Sequence, residues 1–146
     1  MLDQIKLPFT VLVVDFDETR QPDEPPSKMV VRLARGKATT AKKWFVEHGR
    51  PVPAILGADT CVVIDKEILG KPVSRREAVR MLHKLSGQIH QVYTGIALLS
   101  GTVIQTQTVI SEVTFTSLTN AQIENYCDGT EPVSYTHLTL PTICSV

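Results

Sequence analysis

The chain is 146 residues long, with 15 Lys plus Arg against 15 Asp plus Glu and a formal charge of zero. That length suits one domain. The balance argues against a basic nucleic-acid-binding domain and against an acidic disordered tail. Cys61, Cys127 and Cys144 are widely spaced and form no C-x-x-C pair, so neither a structural zinc site nor a disulfide framework is expected. Residues 1–6 lack the basic and then apolar pattern of a secretion signal. The uncharged stretch 91–111 carries too many Gln, Thr and Ser side chains to span a bilayer. These features predict a reduced, cytoplasmic protein with neither nucleic acid nor membrane as a partner.

In chain order, Thr10-Val11-Leu12-Val13-Val14 is a β-branched run and predicts a buried strand. A polar, proline-rich loop over 21–26 follows. Ser27 is the expected N-cap of a helix whose apolar positions are Val30, Leu33, Ala34, Ala38, Ala41, Trp44 and Phe45. Gly49 and Pro51 stop it near His48. A strand is predicted through Pro53–Ile64, with a tight turn near Asp65-Lys66 and a short return through Ile68-Leu69. Ser74 followed by Glu77 forms a capping-box pattern ahead of a helix carrying Ala78, Met81, Leu82 and Leu85. Two β-rich arms, Val92–Leu99 and Val103–Phe115, meet at a Ser100-Gly101 hairpin signal, and a last helix follows Thr119-Asn120. The order predicts an α/β domain with a mixed, twisted sheet flanked by helices.

Three groups of residues carry candidate chemistry. Asp15, Asp17, Glu18 and Thr19 follow the first apolar run, where α/β sheets place ligands and where carboxylates can hold Mg²⁺ alongside substrate phosphates. A solvated strand end is the plain alternative. The same string mimics the haloacid dehalogenase signature, in which Asp15 would be a nucleophile, Asp17 an acid/base and Thr19 a phosphate contact. Lys37 falls within the apolar stripe of its helix, either snorkelling to water or aimed at a phosphate. Asp59 sits inside an apolar strand, which is costly unless it is paired or functional. A three-residue turn would set Asp59 opposite Lys71, and a two-residue turn would set Thr60 there. Either register puts an acid near a base, and a structural ion pair would explain both. His48, His83 and His90 lack ligand spacing and read as surface or satisfied residues, and Cys61 reads as core.

In combination the strings resemble the Maf family of nucleoside triphosphate pyrophosphatases, known also as septum-formation proteins. The resemblance is carried by Leu7-Pro8-Phe9, Asp17-Glu18-Thr19, Val31-Arg32-Leu33-Ala34 with Lys37-Ala38, and Leu56-Gly57-Ala58-Asp59-Thr60. It continues through Ile68-Leu69-Gly70-Lys71-Pro72, then Leu85-Ser86-Gly87 with His90, Val92 and Tyr93-Thr94-Gly95, and Val113-Thr114-Phe115 with Ile123, Glu124 and Tyr126. It implies a three-layer α/β fold related to inosine triphosphatases. It also implies hydrolysis of dTTP or UTP to the monophosphate and pyrophosphate, with a house-cleaning or division-arrest role. Asp59 would be the proton acceptor, Glu18 and Asp59 would hold Mg²⁺ or Mn²⁺, and Lys37 and Lys71 would neutralise phosphate charge. Thr60 would mark the branch that prefers dTTP and UTP, and a homodimer is compatible with the family. Phosphatase chemistry through Asp15 and Asp17, and a non-catalytic division-control role, are the competing expectations.

Gly36 departs from the family pattern, which carries Glu there. The resemblance also implies that the family's S-x-S-P-R-R opening and its segments beyond Pro132 are missing, leaving the fold incomplete at both ends. Residues 133–142 resemble the in-frame translation of a transposase sequencing adapter. On that reading residues 1–132 form a partial domain, residues 133–146 a non-native tail, and this chain has weak or no activity.

Overall fold

The computed structural model describes residue 6 and residues 8–128. Seven elements follow one another: α1 (Pro26–Glu47), β1 (Ile55–Ile64), β2 (Glu67–Leu69), α2 (Arg75–Leu85), β3 (Ile89–Ser100), β4 (Val103–Thr114) and α3 (Asn120–Asp128). The strands form one sheet in the order β2-β1-β3-β4. The α/β class is as expected. All three strand pairings are antiparallel, so the parallel component of a mixed sheet is absent among the described residues. Each connection between neighbouring strands is either a tight hairpin or the β2–α2–β3 excursion, and neither forces a parallel crossover.

Strand alternation sorts the core into two halves. Cys61 and Val63 pack against Met29, Val30 and Leu33 of α1. Val62 and Ile64 point the other way, onto Leu85 of α2 and Phe115. Helices therefore cover both faces, giving the three layers. At the far end of the α1 face, Ala34 and Ala38 meet Ala97 and Leu99. The contact is close because two strand glycines lie under the helix. A Cβ on Gly57 would stand 2.2 Å from the Ala34 carbonyl oxygen, and one on Gly95 would stand 2.5 Å from the Val30 backbone.

Local signals explain most boundaries. Asp65 and Lys66 both take positive φ and form a two-residue turn that pairs Ile64 with Glu67. Ser74 Oγ accepts from the Glu77 N–H at 3.2 Å while the Glu77 carboxylate accepts from the Val73 N–H at 2.9 Å, a capping box shifted by one donor. Thr119 and Gln122 exchange equivalent bonds ahead of α3.

Three expectations are corrected. Ser27 is not the N-cap: α1 begins two residues earlier than that cap implies, with Pro25 as an extended N-cap and Pro26 in the first turn. There φ is pre-set and no N–H is needed. Thr10–Val14 is not a buried strand. It has no ladder partner among the described residues, and Val11 and Val13 are 74% and 90% exposed. Its alternation survives, with Leu12, Val14 and Phe16 half-buried. His90 is not on the surface, and it is not satisfied among the described residues: it is buried, its Nδ1 has no hydrogen-bond partner among them, and its ring lies 5.8 Å from that of Phe115.

Burial lowers the His90 pKa from its ordinary 6.5. The unfolded chain therefore binds the proton more readily than the folded one. Stability is complete above pH 6.5 and declines as the pH falls from there toward the folded value. Thermal unfolding at pH 7.5 and 5.5 is expected to show a loss of a few degrees that His90→Phe reduces. An unchanged difference in that variant would remove His90 as the source.

Candidate active site

Four chain segments bring acids and bases together on the α1 side of the sheet. Lys37 projects from the fourth turn of α1, on the stripe that faces the strands, so it does not simply snorkel into water. Its Nζ lies 2.7 Å from Asp59 Oδ1 and 2.8 Å from Glu18 Oε1. The side chains are 24%, 13% and 41% exposed respectively, so the cluster opens to solvent on its Glu18 side. Lys71, 80% exposed just beyond β2, stands 3.5 Å from Glu18 Oε2. The two-residue turn is the observed register, but β2 ends at Leu69, and Lys71 meets Glu18 instead of Asp59.

Asp59 owes its place to strand parity. It shares a face with Gly57 and Cys61, so it points toward α1 and is compensated there by Lys37. Thr60, its neighbour, points to the opposite face, where its hydroxyl lies 3.0 Å from that of Thr94. The structure therefore gathers Glu18, Lys37, Asp59 and Lys71, and leaves the Thr60 side chain on the other side of the sheet.

The electrostatics follow from the contacts. The hydrogen bond from Lys37 holds the Glu18 carboxyl below its ordinary pKa, against the opposing effect of burial. Burial pushes the Lys37 ammonium down, but the bonds to Asp59 and Glu18 outweigh it and leave the group raised and firmly charged. Beside the cluster, burial pushes the Cys61 thiol up to about 11, so it stays protonated and inert at neutral pH.

Asp15 and Asp17 do not form a competing centre. Asp15 is exposed, on a segment that forms no strand with a partner among the described residues. Asp17 Oδ1 accepts from the Thr19 N–H at 2.9 Å, a local turn contact that holds its carboxyl low. The phosphatase reading needs both at the end of a sheet strand, and it is not favoured.

Arg32 stands out in the sequence only as part of a motif, yet it fixes the approach to the site. Its guanidinium grips Glu24 through bonds of 2.7 and 2.8 Å and donates to the Thr19 carbonyl at 3.1 Å. That bidentate fork ties the segment carrying Glu18 to α1. Spacing alone gave no sign of it, because Glu24 lies in a loop whose path is set by the fold.

The Maf-like protein family model matches residues 1–136. The chain belongs to the Maf family. Among its Maf relatives, a Pseudoalteromonas atlantica protein named dTTP/UTP pyrophosphatase is 46% identical over 132 residues, 90% of this chain and 68% of its own length. Relatives with the same name from Aliivibrio fischeri and Escherichia coli K12 are each 40% identical. The matches cover 90% and 91% of this chain and 69% and 66% of those relatives. The chain thus spans about two thirds of the length of the Maf relatives it matches. The expected boundary at residue 132 and the segment 133–146 lie outside the described residues. No helix among the described residues is long and apolar enough to cross a membrane.

Proposed function

We propose that this Maf-family protein is a nucleoside triphosphate pyrophosphatase acting on dTTP and UTP. The observation that carries the reading is the Lys37 ammonium held between the carboxylates of Glu18 and Asp59, with Lys71 at the open side. The names of the relatives support the substrate class. Two lysines meet the charge of a triphosphate as point charges. A carboxylate keeps a second oxygen when the first is engaged, so Asp59 retains an acceptor for a water proton.

In the reaction, water attacks the α-phosphorus and its proton passes to Asp59. The bond from the α-phosphorus to the bridging oxygen breaks, releasing the nucleoside monophosphate and pyrophosphate. Lys37 and Lys71 stabilise the charge that gathers on the leaving group, an electrostatic contribution that depends on fixed geometry.

A divalent cation fits the donor set in part. No group of three or more His, Cys, Asp or Glu is gathered among the described residues. Glu18 and Asp59, both within 2.8 Å of one nitrogen, offer the one or two carboxylates that Mg²⁺ takes when phosphates complete its shell. Bound there, Mg²⁺ or Mn²⁺ would neutralise phosphate charge.

Incubation with dTTP and Mg²⁺ in ¹⁸O-labelled water tests the reading, for this chain and for the chain extended to its relatives' length. The expected products are dTMP carrying the label and unlabelled pyrophosphate. Labelled orthophosphate with dTDP would overturn it.

A further inference from the structure

Helix α1 runs unbroken through a glycine at a position where its other inward residues carry side chains, and an aromatic ring fills the gap. A Cβ at Gly36 would stand 2.0 Å from Phe16 Cζ and 2.4 and 2.6 Å from the two Cε atoms. The ring also packs against the cluster of Met29, Val30, Leu33, Cys61 and Val63. Its segment has no strand partner among the described residues, so side-chain contacts hold it in place. In an extended segment, residues two apart face the same side. Glu18 lies two residues beyond the ring seated in the notch, and there it meets Lys37, the neighbour of Gly36. On the other side of Glu18, Arg32 holds the Thr19 carbonyl.

We propose that Phe16, seated in the notch left by Gly36, is a positioning residue that holds Glu18 against Lys37. The proposal rests on the pyrophosphatase reading for its catalytic meaning, but not for its structural content. A polar, exposed carboxylate on an unpaired segment would otherwise sample many positions. The ring fixes it at the cluster without touching substrate itself.

Gly36→Ala separates positioning from folding. Alanine is the better helix former, by about 1 kcal/mol in a helix interior, so α1 is not weakened. The atoms a new methyl meets are the tip of a movable ring, which the added carbon expels. Leucine at position 16 lacks those tip atoms and fits beside the added methyl, so Gly36→Ala with Phe16→Leu is the rescue. Two readouts apply to all variants: the rate of tryptic cleavage after Arg20, and the affinity for dTTP in the presence of Mg²⁺.

Gly36→Ala is expected to speed cleavage roughly fivefold or more and to weaken nucleotide binding about tenfold, with the wild-type circular dichroism spectrum retained. Phe16→Ala is expected to do the same to both readouts, and the rescue to return both toward wild type. Wild-type cleavage and affinity in Gly36→Ala, or a double variant no better than the single one, would overturn the proposal. A wild-type chain that binds no dTTP would count against the pyrophosphatase reading, and the order of the cleavage rates would still decide the role of Phe16.

Discussion

Asp59→Asn is expected to lower pyrophosphate release from dTTP by about 10²- to 10⁴-fold, the usual contribution of a positioned general base. The effect should fall on kcat, because the amide keeps the size of the carboxylate and an oxygen that can still accept from Lys37. Binding is expected to change less, since Lys37 and Lys71 remain to meet the phosphates and Glu18 still pairs with Lys37 at 2.8 Å. Lys37→Ala should behave differently. It removes the cation between Glu18 and Asp59 and leaves two carboxylates facing each other, which raises the cost of bringing a triphosphate close. Steady-state kinetics on both variants, with circular dichroism to confirm folding, make the comparison. Normal turnover in Asp59→Asn would remove Asp59 as the base. A binding role without catalysis would survive that substitution, so the same variant separates the enzymatic reading from a division-control one.

The second large effect concerns the fold. Gly95→Ala and Gly57→Ala are each expected to destabilise the protein by about 3 kcal/mol, a fall of about 10 °C in melting temperature. The new methyl at position 95 would meet the Val30 carbonyl at 2.5 Å and the Val31 nitrogen at 2.7 Å, and at position 57 the Ala34 carbonyl oxygen at 2.2 Å. Those atoms belong to the hydrogen-bonded backbone of α1 and cannot swing aside, so the whole helix must lift from the sheet. Gly70→Ala is the control, because a Cβ there would meet nothing within 4 Å among the described residues, and its melting temperature is expected near wild type. Equal melting temperatures for Gly95→Ala and Gly70→Ala would show that the helix yields more readily than this packing implies. At Gly36 the obstacle is a ring tip, and there the effect is on the site rather than the fold.

Much of this was legible in the amino-acid order, and the reasons it was or was not are particular. The β1–β2 hairpin, the Ser74–Glu77 cap and the position of Lys37 on the inner stripe of α1 are local patterns, decided within a few residues of each other. The identity of the charge pairs is not local. Strand spacing brought Asp59 near a base, but the base is Lys37 from the helix overhead, and the turn length that would have paired Asp59 with Lys71 is not the one formed. Thr10–Val14 shows the opposite failure. A β-branched run marks a segment able to extend, whereas a strand also needs a partner edge, which the composition of the run does not report. The Arg32–Glu24 fork and the Phe16–Gly36 contact join residues 8 and 20 positions apart across a loop, and neither residue type is unusual where it stands.

The close seating of α1 on two glycines has a consequence for motion. At Gly57 and Gly95 backbone meets backbone with no side chain between, so at those two points helix and sheet are held at a fixed separation and α1 and β1 move as one body. The distance between Lys37 and Asp59 is then nearly as constant as a distance within a single element. Glu18 is the member of the triad that travels on a separate, unladdered piece of chain. Amide hydrogen exchange should accordingly divide the site in two, with protected amides around Asp59 and Lys37 and fast ones flanking Glu18.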